Sequence, residues 1–139
     1  MIEIIDTIYK MLDNDIELQE IFLGGLPIYF MQRPNTRPPE KPKFPFVVLD
    51  LSTNHDSLVI QTMSLSIDIY DRDDSSECLI MAAERIKKIF ERKRIIAPND
   101  MVYGESTLFS EAFIEEEDRR IWHWSAEINI RGDKKKVIC

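Results

Sequence analysis

Apolar residues along this chain recur first with the period of a helix and then with that of a strand. In residues 1–12, Ile4, Ile5, Ile8, Met11 and Leu12 share one side of a helix, while Glu3, Asp6 and Lys10 lie mostly opposite. Glu3 and Asp6 also place negative charge near the positive end of the helix dipole. Asn14 and Asp15 offer a break and a fresh N-cap for a short second helix through Ile16, Leu18, Ile21 and Phe22, which Gly24-Gly25 stops. A third amphipathic stretch follows Asp74-Ser75-Ser76-Glu77, which resembles a capping box with Asp74 as the cap. Its apolar stripe is Leu79, Ala82, Ile86, Ile89 and Phe90, and the helix is predicted to run to about Lys93.

The strand period dominates elsewhere. Leu26 to Phe30 reads as a short strand and Phe46 to Leu51 as a β-rich run, followed by turn signals at Thr53-Asn54-His55-Asp56. A long strand then begins at Ser57, with Met63, Leu65, Ile67 and Ile69 on one face and Thr62, Ser64, Ser66 and Asp68 on the other. Ala97-Pro98-Asn99-Asp100 makes a turn, and Met101 to Phe113 a strand weakened or bent at Gly104. Ile121 to Arg131 is the last strand. It sets Trp122, Trp124, Ala126, Ile128 and Ile130 against His123, Ser125, Glu127, Asn129 and Arg131. Such alternation implies a sheet with one packed and one wetter face. The expected fold is α+β: a mainly antiparallel sheet of about four to five strands, with two main helices packed on one face.

Between the first two strands the composition changes. Five of the seven prolines (Pro34, Pro38, Pro39, Pro42 and Pro45) fall in residues 31–45. Arg33, Arg37, Lys41 and Lys43 against Glu40 make this stretch basic. Proline fixes φ and removes a donor, so an exposed, extended loop is expected. The domain reading is one α+β unit over residues 1–132, carrying this loop at 31–45, with a flexible basic tail at 133–139.

A chain of 139 residues with 44% hydrophobic positions can bury a core without disulfide or metal staples. The net charge is -7. Phosphate backbones favour basic surfaces because binding releases counterions, so tight nucleic-acid binding is not expected. Cys78 and Cys139 are too few and too far apart for a disulfide framework. No apolar run approaches the ~18 residues of a membrane span, and acids stand where a signal peptide would carry basic residues. A cytosol-like compartment and no membrane partner are the expectations.

Catalytic signatures are missing. His55 and His123 have no metal-ligand spacing around them, and His123 reads as a polar strand residue facing solvent or a partner. Cys78, in the first turns of the third helix, reads as a buried helix cysteine. Asp68, Asp71, Asp73 and Asp74 lack the glycine and terminal glutamate of a calcium loop. The expectation is a non-enzyme without cofactor or metal. Charge is more informative. Glu111, Glu115, Glu116, Glu117 and Asp118 form an acidic block in the hairpin between the last two strands. Arg85, Lys87, Lys88, Arg92, Lys93 and Arg94 lie on or after the third helix, and the proline loop is basic too. Opposite charges on separate surfaces suit a heterologous contact between copies. The candidate contact residues are Arg33, Arg37, Lys41, Lys43, Glu115, Glu116, Glu117 and Asp118.

The chain resembles the tail completion, or tail terminator, proteins of long-tailed bacteriophages and prophages. The resemblance rests on the N-terminal helices over Ile4 to Phe22, Gly24-Gly25-Leu26-Pro27-Ile28-Tyr29 and the proline-containing loop. It continues through Phe44-Pro45-Phe46-Val47-Val48, Met63-Ser64-Leu65-Ser66-Ile67-Asp68-Ile69-Tyr70 before a polar turn and helix, and the returning strand Trp122 to Arg131. It implies a virion subunit at the tail-neck junction, in a ring of commonly six copies. Such a ring contacts the tail tube protein on one side and the head-tail connector on the other, and DNA passes through its lumen without specific binding. Another neck or connector component, and a small enzyme or ligand-binding domain around His123 and the aspartates, stay as alternatives.

Overall fold

The computed structural model describes residues 2–22, 24–31, 43–56, 60–72, 76–96, 102–117 and 120–133. Within them the chain runs α1 (Ile2–Asp13), α2 (Ile16–Glu20), β1 (Ile28–Phe30), β2 (Phe46–Asp56), β3 (Ile60–Arg72), α3 (Glu77–Phe90), β4 (Lys93–Ile96), β5 (Val102–Glu115) and β6 (Ile121–Asp133). One sheet holds all the strands in the order β1-β2-β3-β6-β5-β4. Its pairs are antiparallel except β1 with β2. Parallel neighbours need a long crossover, and residues 31–45 supply the connection between these two strands.

The fold is α+β as expected, but among the described residues the sheet has six strands where about four to five were expected. The strand the sequence concealed is β4. Glu91 leaves the helical region at ψ 107 and Arg92 takes a positive φ of 45, so α3 ends at Phe90, short of Lys93. Only Ile95 of the new strand is buried, and one inward residue carries no period to read. Ser106 fixes this corner: its buried hydroxyl lies 2.8 Å from the Phe90 carbonyl and 3.1 Å from that of Lys93. At its other end α3 begins at Glu77, with Ser76 and not Asp74 as its N-cap. The turn expected at residues 53–56 is instead strand, which β2 keeps through Asp56 past a register shift at Thr53/His55.

Alternation built the core. Val47, Leu49 and Leu51 from β2, Met63, Leu65, Ile67 and Ile69 from β3, and Trp124, Ala126, Ile128 and Ile130 from β6 all bury on one face. Against them pack Ile4, Ile5, Ile8 and Leu12 of α1 and the apolar stripe of α3. Helix α1 touches both outer strands, β1 and β4, so the sheet curls around its helical layer. Two side chains tie α2 in place. Asp15 is the predicted N-cap: its Oδ1 accepts from Leu18 N at 2.8 Å, while Arg85 of α3 donates to both its oxygens at 3.0 and 2.7 Å. Gln19 imitates a strand neighbour for Leu26, accepting from its N–H at 2.7 Å and donating to its carbonyl at 2.9 Å. Between them Gly25 turns the chain at φ 80, a conformation that a Cβ disfavours.

Candidate functional site

β4 covers only the first part of β5, from Val102 to Ser106. From Thr107 to Glu115 the outer side of β5 pairs with no strand among the described residues. This open edge is unusually apolar. Phe109 is 67% and Phe113 59% exposed, and Leu108 and Ile114 are exposed beside them. A register shift at Leu108/Ser110 makes Phe109 the extra residue of a bulge, which twists the strand locally. Sequence reasoning found the strand but missed this surface. The signal was present: Leu108-Phe109 and Phe113-Ile114 are adjacent apolar pairs, which put apolar side chains on both faces of a strand.

The acidic block sits at the far end of this edge. Glu115 is the last residue of β5, and both it and Glu117 are exposed. Glu111 is differently placed, bonded to Lys87 of α3 at 3.1 Å and accepting from the buried Trp124 indole N–H at 3.1 Å. Glu116 turns inward. Its Oε1 lies 2.8 Å from His123 Nδ1, and the other ring nitrogen, Nε2, lies 2.7 Å from Asp68 Oδ1. His123 is therefore buried, at 7% exposure, and does not face solvent as the alternation implied. The physical reason is lateral: Phe46, Tyr70, His123 and Ile114 form one row of registered neighbours across β2, β3, β6 and β5. Tyr70 stacks on the imidazole at 4.1 Å between ring centroids and on Phe46 at 5.0 Å, so the row shields itself on the wetter face. Burial, and after it the Asp68 and Glu116 carboxylates, push the Tyr70 phenol above its ordinary value.

Around the end of the hairpin, Leu79, Phe113, Ile114, Ile121 and Trp122 line a cavity of about 580 Å³, with Glu115, Glu116 and His123 at its polar side. Among the described residues no group of three or more His, Cys, Asp or Glu side chains is arranged to hold a metal. No helix there is long and apolar enough to cross a membrane. Cys78 is half-buried in the first turn of α3. Of the basic candidates, Lys43 is exposed just before β2. Arg33, Arg37, Lys41 and Asp118 lie outside the described residues, as do Asp73 and Asp74. The row from Phe46 to Ile114 relates the two charged regions. Lys43 precedes one end of that row and Glu115 to Glu117 follow the other, so they occupy the same end of the sheet on opposite flanks.

No family model matches the chain, and no curated protein matches it. Solved structures do. One is a chain of the virion of a native gene transfer agent particle, 14% identical, with a TM-score of 0.67 over 91% of this chain and 91% of that one. A second solved chain is 8% identical, with a TM-score of 0.61 over 96% of this chain and 97% of its own length. At these identities the correspondence establishes a shared fold from end to end.

Proposed function

We propose that this chain is a structural subunit of a phage-like particle, and within it the tail completion subunit of a long-tailed phage or prophage. The observation that carries the reading is the correspondence, over nine-tenths of both chains, with a chain of a gene transfer agent virion. In this role six copies close a ring at the tail-neck junction. One face of the ring meets the last ring of tube protein, and the other meets the head connector. Growth of the tube stops because the outer face lacks the repeating surface.

The contact between copies uses the two flanks of the sheet. A closed ring needs head-to-tail contacts, in which different patches of one subunit meet. The open apolar edge of β5 is one such patch, and the opposite flank of the sheet, beside Lys43, is the other. Because Glu115 and Glu117 share an end of the sheet with Lys43, a subunit repeated in the same orientation brings acid toward base. The chain's net charge of -7 suits a lumen through which DNA passes without being held. Both nitrogens of His123 face carboxylates, leaving neither as a base toward a bound substrate, which supports a non-catalytic role.

The test is electron microscopy and native mass measurement of the purified chain with tail tube protein. Capped tubes of limited length are expected. Rings that bind connector and leave tube growth unlimited would indicate another neck component, and no binding to either would refute the proposal. Converting Glu115 and Glu117 to lysine should weaken ring closure at least about tenfold, as loss of facing charge does at an interface. Adding Lys43→Glu should recover part of it.

A further inference from the structure

We infer that Asp68, His123 and Glu116 form a proton-operated latch that holds the acidic end of the β5–β6 hairpin to the sheet. The inference stands on geometry within one subunit and does not depend on the ring reading. Each nitrogen of the His123 ring has a carboxylate oxygen within 2.8 Å, Glu116 at Nδ1 and Asp68 at Nε2. Carboxylates only accept hydrogen bonds, so both contacts are satisfied together when the ring donates from both nitrogens, which only imidazolium does. Neutral imidazole has one donor. One carboxylate then faces an acceptor nitrogen at hydrogen-bond distance, and that contact opens.

The ring has no alternative placement that escapes this. It is buried and stacked on Tyr70, and a half-turn about its Cβ–Cγ bond would put the Cδ2 and Cε1 carbons where the two nitrogens now face the acids. The groups facing it are Asp68 and Tyr70 from β3 and Glu116 from the segment after β5, with Glu115 on the wall of the adjoining cavity. Which contact opens follows from anchorage. Asp68 lies in a strand paired on both sides, to Val48 of β2 and Ser125 of β6. Glu116 lies beyond the last paired residue of β5, Glu115. Loss of the proton therefore releases Glu116 and loosens Glu115 and Glu117 with it.

The experiment uses the full chain, free in solution, over roughly pH 5 to 10. Ring protonation at His123 is read from its ¹⁵N shifts. Amide exchange at residues 115–117 is followed in parallel and corrected for intrinsic rates. The expected result is a rise of about tenfold or more in tip exchange, the scale set by one charge-assisted hydrogen bond, with the same midpoint as ring titration. Glu116→Ala, a truncation at a partly exposed position that leaves no acceptor for Nδ1, should give fast tip exchange at every pH while the ring still titrates. A ring that keeps one protonation state throughout, tip exchange that ignores its titration, or a Glu116→Ala tip that stays protected would each overturn the latch.

Discussion

Replacing Asp15 by alanine removes two interactions at once, and their sizes follow from the geometry. The first is the N-cap of α2, the 2.8 Å bond from Leu18 N, of a kind that contributes about 1 kcal/mol. The second is the two-point bond to Arg85. The Asp15 side chain is 13% exposed but that of Arg85 is 28% exposed, so solvent screening holds this pair to about 1 kcal/mol. Glu17, 73% exposed, also touches Arg85 and adds little. The expected loss for Asp15→Ala is about 2 kcal/mol, or a fall in Tm of roughly 6 to 10 °C for a domain of this size. Asp15→Asn keeps a capping oxygen and gives up the charge, so it should lose about half as much. The pH dependence separates the two contributions further. The Arg85 guanidinium bonded to Asp15 holds its carboxyl below the ordinary value of 3.8, with the Leu18 N–H adding to the effect against burial. A carboxyl lowered in the folded state stabilises the protein fully above its unfolded pKa, and that contribution fades as pH falls through the folded pKa. Urea unfolding of wild type and Asp15→Asn should therefore differ by a constant amount near neutrality and converge as pH drops below 3.8. If Asp15→Asn is as destabilised as Asp15→Ala at neutral pH, or the gap survives acidification undiminished, the account of this clamp is wrong.

Two further predictions concern the hairpin's support. A Cβ at Gly104 would stand 2.7 Å from the Arg131 carbonyl oxygen, a backbone atom that cannot rotate away, so Gly104→Ala should cost about 2 to 3 kcal/mol in equilibrium unfolding; a loss under about 0.5 kcal/mol would refute the close approach. Glu111→Leu leaves the fully buried Trp124 indole N–H without its acceptor and should cost about 1 to 3 kcal/mol, whereas Glu111→Gln, which still offers an oxygen, should cost less; equal losses in thermal melts would show that the bond is not the reason.

Local pattern alone determined much of this protein. The helical stripe of α1, the Asp15 cap, the alternation in β3 and β6 and the α+β class follow from side-chain periods that repeat over several residues, and the fold keeps them. The exposure of Glu115 and Glu117 agrees with the acidic block's place in the hairpin, whereas the inward turn of Glu116 does not follow from it. Tertiary structure decided the rest. β4 is too short to show a period, and it exists because β5 offers an edge and Ser106 binds its corner. His123 looked solvent-facing because alternation fixes which face of a sheet a residue points to, not what crosses that face. Its burial depends on Tyr70 and Asp68, which the strand register brings beside it, and on Glu116, which the segment after β5 turns back onto it. The open apolar edge of β5 likewise depends on where β4 stops. Period is a property of one segment, whereas partners belong to the pairing of several, and the candidate site of this protein is made of partners.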